Sequence, residues 1–141
     1  MTVAGSRDAM LRAVPLFAEA TAADLAALAA ASTEIEVPAG RTLVRQGDPA
    51  NGLFVIVEGT VHVTRDGEII ARLGSGEWFG ELAVLDRGER LASVTADTPV
   101  RALALAAWDA ERLLLDRPGL ALGVARTLAS RLRTRTEEHD H

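Results

Sequence analysis

The sequence predicts an α+β fold: an antiparallel, jelly-roll-like β-roll with helices before it and two helices after it. Three observations carry this expectation. Apolar residues recur at helical spacing up to Ala31 and again beyond Ala106, the stretch between them switches to a period of two, and Gly, Pro and Asp interrupt that stretch at short intervals. With 141 residues and 48% hydrophobic content, one domain with a sizeable core is expected. Its parts are N-terminal helices over 1–32, the roll over 33–105 and C-terminal helices over 106–138.

Each element has a local reason. Met10, Leu11 and Val14 share a face of a first helix that Pro15 interrupts, and Leu16 and Phe17 anchor the loop that follows. Thr21 with Asp24 forms a variant capping box for a second helix whose apolar face carries Leu25, Leu28 and Ala29. From Ile35 the alternation is that of strands, with turns at Pro38-Ala39-Gly40 and Gly47-Asp48-Pro49. Leu53 to Val57 is a continuous apolar strand. Val61 to Arg65 alternates up to Asp66-Gly67, a dipeptide that favours a two-residue hairpin, and Ile69 to Leu73 returns. Leu91 to Ala96 and Val100 to Leu105 alternate again around Asp97-Thr98-Pro99. The helical period then resumes through Trp108, Leu113 and Leu114, breaks at Asp116 to Gly119, and continues through Leu120, Val124, Leu128 and Leu132, with Pro118 suited to a first turn.

Composition narrows the functions. There are no cysteines, which excludes a disulfide framework, a cysteine zinc site and a cysteine-held iron–sulfur cluster. The net charge of −5 argues against a general nucleic-acid binder, because Lys and Arg supply most non-specific affinity for phosphate backbones. All 15 basic residues are arginine, a bias of GC-rich bacterial genomes rather than of a function. The alanine-rich N-terminus is broken by Arg7, Asp8, Arg12, Glu19 and Asp24, so it lacks the apolar run of a signal peptide, and no segment approaches the ~18 apolar residues of a membrane span. A cytoplasmic location is expected.

The most informative run is Phe79-Gly80-Glu81-Leu82-Ala83-Val84-Leu85, followed by Arg90-Leu91-Ala92-Ser93-Val94. A glycine opening a short helix lets backbone N–H groups approach a phosphate, and the helix dipole favours negative charge there. Glu81 is suited to accept hydrogen bonds from a sugar hydroxyl, and Arg90 to fork two phosphate oxygens. Together these residues describe a pocket for a small anionic sugar phosphate.

This F-G-E-L-A, R-x-A-S-V pattern resembles the cyclic nucleotide-binding domain of catabolite-activator-like regulators, kinase regulatory subunits and cyclic-nucleotide-gated channels. The resemblance extends from Val37 to Leu105 and to the flanking helices, and it implies that 79–94 form the family's phosphate-binding cassette. It assigns Glu81 to the ribose 2′-hydroxyl and Arg90 to the cyclic phosphate, with Gly80, Leu82, Ala83 and Ala92 offering backbone. Phe79, Leu91 and Ser93 belong to the same stretch. Val63 and Leu73 would face the purine, and Arg131 or Leu128 on the last helix would close over it. Leu91 departs from the family's pattern, in which a serine or threonine is common, and Glu89 stands where proline often precedes the arginine. A missing hydrogen bond to a charged group is worth roughly 1.5–3 kcal/mol, which disfavours cGMP and leaves cAMP the preferred ligand.

Competing readings remain beside this one. Arg87 rivals Arg90 but lacks the Ala-Ser-Val that follows, and Ser93 is equally well read as a strand hydroxyl bonded to backbone. Gly74-Ser75-Gly76 is followed by Gly80 one position too late for a dinucleotide fingerprint. Three histidines, with only His62 in the strand region, do not make a cupin-like metal centre, and the tail His139-Asp140-His141 reads as a frayed end; no metal and no enzymatic activity are expected. The chain ends soon after the last helix, so no recognition helix and no direct nucleic-acid contact are expected. Two functions survive: a non-enzymatic cyclic nucleotide receptor whose last helix moves on binding, and a ligand-free interaction domain that keeps the fold. In either, the C-terminal helix would meet a second copy or an effector protein.

Overall fold

In a computed structural model of the chain, the described residues are 3–49, 51–80, 85 and 87–139. The expected helix after Gly80, with Glu81, Leu82 and Ala83, lies outside them, as do the last two residues of the tail. Two helices, α1 (Val3–Arg12) and α2 (Ala22–Ala31), flank a short 3-10 turn at Pro15–Phe17. Eight strands follow: β1 (Thr33–Val37), β2 (Thr42–Val44), β3 (Gly52–Glu58), β4 (Val61–Arg65), β5 (Glu68–Leu73), β6 (Trp78–Phe79), β7 (Ser93–Ala96) and β8 (Val100–Ala106). Two helices close the chain, α3 (Ala107–Asp116) and α4 (Pro118–His139).

The strands form two four-stranded antiparallel sheets, ordered β1-β8-β3-β6 and β2-β7-β4-β5. The first is covered on both faces. Leu53, Val55, Leu103 and Leu105 turn toward Leu11, Phe17, Leu28, Leu120 and Val124 of the helical layer. On the other face, Ile56, Val100 and Ala102 meet Val44, Val61, Val94 and Ala96 of the second sheet. Two-sided burial explains why β3 reads as an unbroken apolar run. The second sheet has one dry face only: Thr42, Thr95, His62 and Arg72 fall in register on the opposite side.

Local chemistry fixes the connections. Asp66 and Gly67 both have positive φ, 53° and 85°, as the primed two-residue turn between β4 and β5 requires. The register slips between Val63 and Thr64, which leaves Ile70 as an extra residue on β5. That bulge aims Ile70 and Ala71 at the same cavity. The strand expected from Leu91 begins at Ser93, and β6, absent from the sequence-based reading, contributes two residues paired with Phe54 and Val55.

The capping box at α2 forms as expected: the Asp24 N–H donates to Thr21 Oγ1 at 3.1 Å and the Thr21 N–H to Asp24 Oδ2 at 3.0 Å. Arg117, between α3 and α4, reaches Asp24 Oδ1 at 3.1 Å, so this nearly buried carboxylate ties the last helices to the first layer. The Thr21 backbone donor is the main cause that holds the Asp24 carboxyl below its ordinary value; burial opposes it and Arg117 assists. A carboxylate depressed in the folded state contributes stability above its unfolded value of about 4 and loses it as the pH falls through the folded-state value. Asp24→Asn should therefore lower stability at pH 7 by roughly 1–2 kcal/mol, about 3–8 °C for a chain of this size. Melting curves of the two proteins, followed by circular dichroism, should converge as the pH drops below about 4.

Candidate functional site

Arg90 is the centre of the site, and its position follows from backbone around it. The loop between β2 and β3 clamps it on both sides: the Gly47 N–H donates to the Arg90 carbonyl at 2.9 Å, and the Arg90 N–H to the Asp48 carbonyl at 2.8 Å. A bridge between Pro49 and Glu89 extends this pairing. The side chain is directed inward and is only 4% exposed. Its Nη2 donates to the Gly52 carbonyl at 2.6 Å and to Asn51 Oδ1 at 3.0 Å, and Nη1 donates to the Gly80 carbonyl at 3.4 Å. No carboxylate lies within ion-pair distance of it among the described residues. Burial alone pushes the guanidinium's pKa down, yet arginine stays charged. Among the described residues, the outcome is a desolvated cation held by neutral acceptors.

Gly80 makes this arrangement sterically allowed. It sits at φ +95°, and a Cβ there would come within 2.5 Å of Arg90 Nη1 and 2.9 Å of the Gly52 carbonyl. Only glycine satisfies both the left-handed backbone and the close approach. Phe79, before it, is buried and stacked on Phe54, with ring centroids 5.0 Å apart and planes at 17°. The Arg90 guanidinium lies 6.0 Å above the Phe54 ring.

These groups border a half-open cavity of about 230 Å³ between the cassette, the second sheet and α4. Its wall is apolar, formed by Val44, Val63, Val94, Leu73, Ile70 and Ala71. Phe79, Gly80, Arg90, Leu91 and Ala92 line the end where the guanidinium lies, and Trp78 and Arg131 complete the lining. Arg90 and Arg131 are the two charged residues among its described lining, and both are cations. Arg131 comes from the distal part of α4 and stacks on Trp78, its Cζ 4.3 Å from the ring centroid. An apolar cavity with a buried cation at one end suits an anion that also carries an apolar-faced group.

The structure thus brings together Val63, Leu73, Phe79, Gly80, Arg90, Leu91, Ala92 and Arg131, eight of the residues expected from the sequence. Ser93 is not in the lining; its hydroxyl accepts the Gln46 N–H at 2.8 Å, which is the backbone-bonded reading of that residue. Arg87 points to α3, where it pairs with Glu111, so it does not compete with Arg90. The sequence reading passed over Asn51, Gly52, Phe54 and Trp78. Asn51 matters twice, because its side chain holds Arg90 while its carbonyl accepts the Ala107 N–H at the start of α3, at 3.0 Å. The signals for it were the Asn-Gly step before an apolar strand; for Trp78, two adjacent aromatics that must face opposite sides of a strand.

Comparison with known proteins agrees with this geometry. Residues 34–117 match the cyclic nucleotide-binding domain. The chain is 31% identical over 131 residues to a CRP-like cAMP-activated global transcriptional regulator of Mycobacterium tuberculosis, covering 89% of this chain and 58% of that protein. It is 35% identical over 122 residues to a cyclic nucleotide-gated potassium channel of Rhizobium etli, covering 86% of this chain and 34% of the channel. It thus spans less than two thirds of either relative. Among solved structures, the N-terminal domain of a Streptomyces coelicolor transcriptional regulator superposes with a TM-score of 0.78 at 38% identity, over 91% of this chain and 95% of that one. Among the described residues, no helix is long and apolar enough to cross a membrane. A roll of two antiparallel sheets, an inward arginine beside a positive-φ glycine, and a match across the whole roll make this chain a member of the cyclic nucleotide-binding domain family.

Proposed function

We propose that the chain is a non-enzymatic cyclic nucleotide receptor, with cAMP its preferred ligand and cGMP a weaker one. The observation that carries this reading is Arg90, a buried cation facing a cavity whose described lining holds no anion. Nη2 is committed to Asn51 and Gly52, and the 3.4 Å contact of Nη1 with Gly80 is a weak hydrogen bond, so Nη1 is the edge a phosphate oxygen would engage. Glu81 would take the ribose hydroxyl, with Leu82 and Ala83 offering backbone beside the phosphate, and the base would lie against Val63 and Leu73. Leu91, 56% exposed at the rim, brings no hydroxyl for a guanine amine, which favours adenine.

Coupling to the C-terminal helices would run through Asn51. A shift of Arg90 toward the phosphate loads the amide that holds it, and the same residue's carbonyl holds the first turn of α3. Ligand binding acts only by favouring one of two positions of that segment. The outer side of α4 exposes Leu122, Ala125, Ala129 and Leu132 at steps of three and four, a surface for a second copy or an effector protein. The module, residues 1–141, would work in the cytoplasm, where cyclic nucleotides are made.

Calorimetric titration with cAMP and cGMP tests the reading directly, and saturating cAMP at about 100 times its dissociation constant should add roughly 2.7 kcal/mol of stability. No heat with either nucleotide at millimolar concentration would leave the interaction-domain alternative. Arg90→Ala should weaken cAMP binding by about 100-fold or more while the far-ultraviolet dichroism spectrum is unchanged; Arg90→Lys, which keeps charge and loses the fork, should fall between. Gly80→Ala should displace Arg90 through the clash of its Cβ with the guanidinium and the Gly52 carbonyl, weakening cAMP binding about tenfold or more and lowering stability by about 1–2 kcal/mol. Leu91→Thr should raise cGMP affinity by roughly tenfold, measured by the same titration.

A further inference from the structure

The indole of Trp78 is 4% exposed, and its N–H has no acceptor among the described residues. A buried donor left unmatched costs stability, so the ring's place is not explained by its hydrogen bonding. What it does offer is a π face, and that face is occupied by the Arg131 guanidinium at 4.3 Å. Arg131 reaches it from a definite side of α4. Leu120 and Val124 are buried, Leu128 packs against the same core, and Arg131 follows at the next step of that face. Among the described residues, α4 packs most extensively against the 3-10 turn and α3. The stack with Trp78 therefore ties the distal part of α4 directly to the roll, across the mouth of the cavity that both residues line. The other tryptophan is a useful contrast: Trp108 is 64% exposed and carries Arg112 of its own helix 5.0 Å above it, a local pair that ties nothing together.

We propose that Trp78 is a positioning residue for the last helix: it holds Arg131 over the cavity before any ligand arrives, so that affinity for the ligand depends on Trp78 through Arg131. This rests on the reading of the cavity as a cyclic nucleotide site. Ordering a long side chain and the end of a helix on binding costs affinity, and a lid already set by the protein's own aromatic removes part of that cost.

The test has one arm without ligand and one with it. In the Trp108→Phe protein, Trp78 is the sole indole, and its fluorescence quenching by acrylamide reports access to its face. Arg131→Ala in that background should raise the quenching constant by roughly threefold or more, the change expected when a stacked guanidinium leaves a buried ring. An unchanged constant would overturn the latch. In calorimetric titration with cAMP, Trp78→Leu and Arg131→Ala should each weaken binding by about threefold to tenfold, and the double variant should be no weaker than either alone. Trp78→Phe, which keeps an aromatic face, should recover most of the loss. Losses that multiply in the double variant would show independent action and overturn the proposal, and should Trp78→Leu fail to fold, the quenching arm decides. A parent protein that gives no heat with cAMP refutes the ligand reading, while the quenching arm still judges the latch.

Discussion

The site depends on one constraint: a guanidinium taken out of water and held, among the described residues, by neutral oxygens. Removing a cation from solvent is costly, and Arg90 recovers part of that cost from two carbonyls and an amide rather than from a carboxylate among the described residues. Much of the surrounding architecture exists to make this possible. The clamp from Gly47 and Asp48 fixes the arginine's backbone, β6 brings Phe79 beside Phe54, and Gly80 gives the guanidinium room that any side chain would take away. A cation prepared in this way has a large amount to gain from an anion and little to gain from water.

The same economy of contacts links the pocket to the helices. Asn51 and Gly52 lie where β3 leaves its loop, next to the junction of β8 with α3, because Gly52 pairs with Ala106. Arg90 and the first turn of α3 therefore share one anchor. On the opposite side, Arg131 meets Trp78, a residue of the strand that ends in the cassette. The cavity is thus bracketed by two arginines, one held at its floor by the loop and one brought to its mouth by the last helix. Asp24 and Arg117 set the base of that helix, so its start and the stretch around Arg131 are held by different interactions, one ionic and one aromatic.

The apolar wall is as much a product of irregularity as of pattern. A regular β4–β5 hairpin would turn alternate residues inward, and Ile70 and Ala71 face the cavity together only because β5 carries an extra residue. Alternation in the sequence shows which strands have one dry face; it does not show where the ladder slips, because the slip is settled by cross-strand packing.

The sequence by itself determined the order of elements apart from β6, the capping box and the primed turn at Asp66-Gly67, since each is written in local spacing or in the conformational limits of Gly, Pro and Asp, and its resemblance to a family marked the candidate cassette. It also marked most of the cavity's described lining, because the motif residues Phe79, Gly80 and Arg90 to Ala92 lie close together in the chain and the family resemblance pointed to Val63, Leu73 and Arg131. Only the tertiary structure decided that Arg87 turns to Glu111, that Ser93 bonds to Gln46, and that Asn51 and Trp78 belong to the site. Those outcomes depend on contacts between residues tens of positions apart. Such contacts leave no periodicity in the chain, and they arise only when two sheets and a helix have been brought to close packing.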